Sequence, residues 1–198
     1  MKHAKGPPHQ RHVATALAGA GALLLCVLHL MLLTACTPAK DRRTFGTTLD
    51  DQTVEFRVID ALYRRPEFGE QDHIKVEAHN STLLLAGETR SAANKALATE
   101  IAAGIKTVER VVNELEVTAP ADTSGRMHNG YMTAKVNTRL MTANVLPGFD
   151  PGRIKVISAR GNIYLMGTVS RAEGDAVTEV VRQVRGVNKV VRVFDYTD

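Results

Sequence analysis

Cysteine is all but missing from this chain: two occur among 198 residues, Cys26 and Cys36, and none lies beyond them. Once the segment up to residue 35 is removed, a single cysteine remains. No intrachain disulfide is then possible, and the fold must be held by packing. About 160 residues come after Cys36, enough to bury a core of that kind. Catalytic signatures are missing too: there is no Gly-x-Ser-x-Gly elbow, no His-Glu-x-x-His pair, no phosphate-binding loop and no cysteine left for nucleophilic work. His73, His79 and His128 are scattered, without the spacing of metal ligands. The expectation is a protein with no catalytic residue, no metal and no enzymatic activity.

The N-terminal segment also lacks acid. Lys2, Lys5 and Arg11 precede a largely apolar run from Val13 to Leu33, the order of an export signal. Positive charge stays on the cytoplasmic side, so the rest of the chain is threaded outward. The run of about 20 residues is also long enough to cross a bilayer as an uncleaved anchor. Against that, Leu33-Thr34-Ala35-Cys36 closes it with small residues before a cysteine and a leucine three positions ahead. This resembles the lipobox of bacterial lipoproteins and implies a signal peptide at 1–35. Cys36 would then carry a covalent diacylglycerol and an N-acyl chain, with no other cofactor. Thr37, rather than Asp, comes after the cysteine, which by the sorting rule of such lipoproteins implies the outer membrane, facing the periplasm. Removing the signal leaves 22 basic residues against 21 acidic, so the high overall isoelectric point belongs mostly to the signal. Compartment and net charge together exclude nucleic acid as a partner.

Beyond Cys36 the chain repeats itself at a spacing of about 80 residues. Ile74-Lys75-Val76, Leu83-Leu84-Leu85 and Gly87 match Ile154-Lys155-Val156, Ile163-Tyr164-Leu165 and Gly167. Val108 to Val112 matches Val187 to Val191, and Val58 and Leu62 match Val136 and Leu140. Each copy reads as helix, strand, strand, helix, strand, with turns at Asn80-Ser81 and Ala159-Arg160-Gly161-Asn162. Ser170 and Glu173 form a capping box for a helix carrying Val177, Val180, Val181 and Val184. Gly87 and Gly167 are read as structural glycines, where backbone turns sharply or approaches a neighbour closely. The fold class is therefore α+β: two helices on a three-stranded sheet, twice, with one face of each sheet left for the two units to pack on each other. The boundaries are a tether at 36–51, a first domain at 52–118, a linker at 119–128 and a second domain at 129–198. Tether and linker lack periodicity and are expected to be mobile.

Ile-Lys-Val, a turn, a Leu-x-Leu-x-Gly strand, a helix and then Val108-x-x-Val111-x-Asn113-x-Leu115 resemble the BON domain. A lipobox leading into two such domains is similar to the dual-BON outer-membrane lipoproteins, and the likeness extends upstream through Phe45 to Asp51. The resemblance implies a non-enzymatic module that associates with phospholipid, supports outer-membrane and envelope integrity, and meets anionic lipid through the first helix of its second domain.

Charge speaks to the same point independently. Cys36 to His128 holds 12 basic and 15 acidic residues, whereas Asn129 to Asp198 holds 10 basic and 6 acidic, an asymmetry expected of a second domain that faces an anionic surface. On its first helix Tyr131, Lys135 and Arg139 share one face, beside Met132, Val136 and Leu140. Tyr131, Met132, Lys135 and Arg139 are thus the expected lipid-binding residues. Two other readings stay open. One is an adaptor whose basic second domain docks on an acidic partner in envelope assembly or division, or on peptidoglycan. The other is a scaffold in which the two units merely stabilise each other.

Overall fold

The structure is a computed structural model that describes residues 45–198, with side chains from residue 50 onward, and these residues fall in one compact unit. The signal peptide and Cys36 lie outside the described residues. The first domain runs α1 (Phe45–Tyr63), β1 (His73–His79), β2 (Thr82–Thr89), α2 (Ala92–Ala103) and β3 (Arg110–Val117). The second runs α3 (Thr123–Thr142), β4 (Lys155–Ala159), β5 (Asn162–Val169), α4 (Arg171–Arg182) and β6 (Lys189–Tyr196), with a short 3-10 turn at Pro151–Arg153. In each sheet the middle strand pairs antiparallel with the strand before it and parallel with the strand after the helix.

Local chemistry explains these elements. Asn80 and Ser81, and likewise Arg160 and Gly161, have positive φ, as a two-residue hairpin turn matched to strand twist requires. Ser170 accepts from the Glu173 backbone N–H at 3.2 Å while Glu173 accepts from the Ser170 N–H at 2.7 Å, completing the capping box. At Gly87 φ is +114°, and a Cβ would overlap the His73 carbonyl oxygen on the neighbouring strand. At Gly167 a Cβ would lie 2.6 Å from the Arg153 carbonyl oxygen.

Two helices start ahead of the boundaries expected from sequence. Helix α1 begins at Phe45, so residues 45–51 are not tether. Asp51 occupies a position on the inward stripe with Val54, Val58 and Leu62; it is buried and accepts from the Asn80 N–H at 3.3 Å. A search for apolar periodicity passes over such a residue. Helix α3 begins at Thr123, because Asp122 caps it by accepting from the Gly125 N–H at 2.7 Å. Buried Asn129 repeats the role of Asp51 by accepting from the Arg160 N–H at 2.9 Å. Only 118–122 connect the domains, and Thr118 and Ala121 donate backbone hydrogen bonds to Thr89 and Glu88 of the first. The segment expected to be mobile is thus tied down.

The strands sort their side chains between two cores. Leu83 and Leu85 of β2 face α1 and α2, while Leu84 and Ala86 face the other sheet. In the second domain Ile163 and Leu165 face the helices, and Tyr164 and Met166 meet Leu84 and Ala86, together with Ile157, Ala159 and Val193. The result is four layers, helix, sheet, sheet and helix, with α1 and α3 in opposite outer layers. Burial on both faces makes β2 and β5 read as nearly continuous apolar runs.

Charged side chains rim this inner seam. Lys155 Nζ lies 2.7 Å from Glu55 and 2.5 Å from Glu77, Lys189 lies 3.0 Å from Glu114, and Arg160 lies 3.1 Å from Glu116. Burial works against the Lys155 charge, but Glu55 and Glu77 outweigh it and hold its pKa above the ordinary lysine value. Lys75, donating to the Ser158 carbonyl at 2.7 Å, goes the other way: burial lowers its pKa despite Glu77 and Glu88. Burial also pushes the Tyr164 phenol up to about 12. Acids of the first domain therefore face bases of the second across the seam. Part of the charge asymmetry between the halves is used there and not at an external surface.

Candidate functional site

Two of the second domain's bases that the seam leaves over, Lys135 and Arg139, lie on α3. Its 20 residues contain no Asp or Glu, whereas α1, the same element in the other copy, carries Asp50, Asp51, Glu55 and Asp60. The inward stripe of α3 is Asn129, Met132, Val136 and Leu140, all buried. Opposite them Met127 and Met141 are each 72% exposed and Tyr131 is 60% exposed, with Ala134 and Thr138 exposed between. At about 100° per residue these five fall within roughly 80° of one another, a narrow apolar crest along the outermost line of the helix.

Lys135 and Arg139 run along one side of that crest. Lys135 Nζ lies 5.6 Å from the Tyr131 ring centroid, near enough for cation–π attraction, and donates to the Arg185 carbonyl at 2.7 Å. Among the described residues no carboxylate forms an ion pair with Lys135, Arg139 or Arg185. Arg185 belongs to the turn between α4 and β6, which lies against α3 through Gly186. There φ is +98°, and a Cβ would lie 3.3 Å from Met132 Sδ. Between α3 and this turn runs an open groove of about 480 Å³. Ala134, Thr138, Gln183 and Val184 line it, together with Tyr131, Lys135, Arg139 and Arg185.

The structure thus brings Tyr131, Lys135 and Arg139 together on one exposed face and separates Met132 from them. Met132 is 1% exposed and packs in the second domain's core, which removes it from the expected lipid-binding set. One residue step around a helix is about 100°, so Met132 turns inward with Val136 and Leu140 while Tyr131 points out. Sequence reasoning misses Met127 and Met141, although both emerge from helical spacing once α3 is known to start at Thr123. It misses Arg185 as well, because that residue is 54 positions from Tyr131 and joined to it only by the fold. Gly87 and Gly167 lie in β2 and β5, away from this face, and act on backbone packing. Among the described residues no group of His, Cys, Asp or Glu is placed to hold a metal, and no helix is long and apolar enough to cross a membrane.

Fold and face together define a class: a duplicated α-β-β-α-β module, packed sheet to sheet, with an acid-free amphipathic helix on one outer layer. The BON domain model matches residues 50–119 and 130–198, and the chain belongs to the BON-domain family. It is 30% identical over 164 residues to the outer membrane lipoprotein DolP of Haemophilus influenzae, covering 83% of each chain. It is 31% identical over 156 residues to the 21 kDa hemolysin of Actinobacillus pleuropneumoniae, covering 79% of each. Among solved structures, the C-terminal domain of CdsD, a structural protein of the type III secretion system of Chlamydia trachomatis, is 12% identical, with a TM-score of 0.27 over 72% of this chain and 96% of that one.

Proposed function

We propose that this chain is a non-enzymatic outer-membrane lipoprotein, acylated at Cys36 and facing the periplasm, whose second domain docks on anionic phospholipid and which thereby supports envelope integrity. Similarity to an outer membrane lipoprotein supports the location, and the lipobox residues supply the attachment point. The observation that carries the docking is the crest of Met127, Tyr131 and Met141 on a helix without acid, with Lys135 and Arg139 along one side. Apolar side chains of that kind enter the headgroup boundary, Tyr131 keeps its hydroxyl in water, and each cation near an anionic surface contributes about 1 kcal/mol.

Such a face is weak alone. The nine residue steps from Cys36 to Phe45 span at most about 30 Å, so acyl chains on Cys36 hold the domain within reach of the bilayer at high effective concentration. The test is co-sedimentation of the unlipidated 37–198 fragment with anionic vesicles. Lys135→Glu with Arg139→Glu is expected to abolish binding; undiminished binding defeats the reading.

A second reading, a protein-binding adaptor, is favoured by one observation. Phe56, Ile59 and Tyr63 are exposed along one side of α1, in the outer layer opposite α3. An adaptor of that kind shows little affinity for pure vesicles and loses its partner when Phe56 and Tyr63 are replaced by serine.

A further inference from the structure

The outer face of α1 is built differently from that of α3. Phe56, Ile59 and Tyr63 are exposed along one line of it. Phe56 and Tyr63 are seven residues apart, which places their rings within about 20° of each other around the helix and about 10 Å apart along its axis. At the matching positions of the other copy α3 carries Ala134 and Met141, so this pair of rings belongs to the first domain alone. The Tyr63 ring is held at its far end, where the hydroxyl donates to the Asp72 carbonyl at 3.4 Å and accepts from the Ile74 N–H at 3.5 Å. One turn on from Phe56, Asp60 pairs with Arg64 at 2.9 Å, and both side chains are exposed beside the rings.

Charge and area narrow what such a stripe can hold. Its acid and base cancel, so it offers an anionic bilayer no net attraction and complements an uncharged polar partner. Phe56, Ile59 and Tyr63 expose under half of the about 800 Å² that each side of a stable protein interface buries, whereas a single sugar strand covers a strip one ring wide. We propose that α1 is a stacking platform for an extended β-1,4-linked glycan of N-acetylated amino sugars, the backbone of peptidoglycan, with Phe56 and Tyr63 under alternate sugars. Alternate sugars of such a strand present the same face one disaccharide apart, which matches the separation of the two rings. The C–H face of each sugar lies on an aromatic ring, while hydroxyl and acetamide groups at its edge meet the Asp60 carboxylate and the Arg64 guanidinium. Because α1 and α3 occupy opposite outer layers, the platform stays open when α3 meets a bilayer. The inference assigns to a sugar the face that the adaptor reading gives to a protein, and it is independent of docking through α3.

The experiment measures binding of the 37–198 fragment, which retains every residue of the three buried cores, to purified peptidoglycan by co-sedimentation and to soluble N-acetylglucosamine oligomers of the same linkage by titration. A trimer is the shortest oligomer that reaches both rings. Affinity is therefore expected to rise between dimer and trimer by roughly tenfold, the factor that a second stacked ring carries. Phe56→Ser is expected to remove that rise and most of the co-sedimentation, whereas Phe56→Trp, which restores a ring, is expected to retain both. Tyr131→Ser, on α3, is expected to change neither. Phe56 is 71% exposed, and circular dichroism confirms that its variants fold. Absence of glycan binding, affinity that does not rise at the trimer, or binding that Phe56→Ser leaves unchanged overturns the platform. Loss of a protein partner on Phe56→Ser in a chain without glycan affinity does so too and returns the face to the adaptor reading. Vesicle binding through α3 is unaffected by any of these outcomes.

Discussion

Leu83 and Leu84 are adjacent, fully buried and chemically identical, yet they belong to different cores: Leu83 packs beneath α1 and α2, Leu84 against Tyr164 and Met166 of the other domain. Truncating either to alanine removes the same atoms, at a cost of about 2–5 kcal/mol each. For a two-domain body of this size that corresponds to a fall in melting temperature of roughly 5–20 °C. The location of the loss should differ. Leu83→Ala weakens the interior of the first domain and leaves the seam packed. Leu84→Ala opens a void in the seam, where seven buried side chains, flanked by Val112 and Val191, join the two sheets. Differential scanning calorimetry of the 37–198 fragment is therefore expected to give one transition for the parent and two resolved transitions for Leu84→Ala, because each domain keeps its own core. A Leu84→Ala protein that melts in one transition within about 1 kcal/mol of the parent refutes the sheet-on-sheet packing.

Further expectations concern single residues. Gly87→Ala forces a Cβ onto the His73 carbonyl at a left-handed φ and is expected to cost more than the ~1 kcal/mol of an ordinary Gly→Ala change in such a conformation, measured by urea unfolding. Met132→Ala is expected to lower stability by about 2–5 kcal/mol as a core truncation, measured by urea unfolding; loss of vesicle binding with no loss of stability would return Met132 to the lipid face. At Glu173, burial raises the carboxyl pKa, but hydrogen bonds from Arg153 and Ser170 and the Arg153 charge outweigh it, so the folded value lies below the ordinary glutamate value of 4.5. Its contribution is present above the unfolded value and lost as pH falls through the folded one. Stability curves of the parent and Glu173→Gln are therefore expected to converge below about pH 4.5, and a gap unchanged down to about pH 2 contradicts the assignment.

Much of the architecture was legible because the duplicated unit writes its pattern twice. The hairpins, the Ser170 capping box and the inward stripes of Val58, Leu62, Val136 and Leu140 are readable from spacing alone. What escaped was polar structure at apolar positions. Asp51 and Asn129 sit on inward stripes to receive hairpin N–H groups, so both helices start earlier than an apolar search finds. The charge imbalance between the halves was legible as a total but not as a distribution, since Lys155, Arg160 and Lys189 pair with Glu55, Glu77, Glu114 and Glu116 across the seam. Helical spacing finds Tyr131, Lys135 and Arg139, while Arg185 joins them only through the turn closed by Gly186 on Met132.

Entry of the α3 crest into an anionic bilayer surface can be read directly, because the chain has no tryptophan. Tyr131→Trp places a single indole on the crest, and Phe56→Trp places one at an exposed site on α1 in the opposite layer. On addition of anionic vesicles, the indole fluorescence of the Tyr131→Trp protein is expected to shift to the blue and to be quenched by brominated acyl chains, while that of the Phe56→Trp protein stays at its aqueous wavelength. No shift from position 131, or a shift from position 56 alone, would contradict the account.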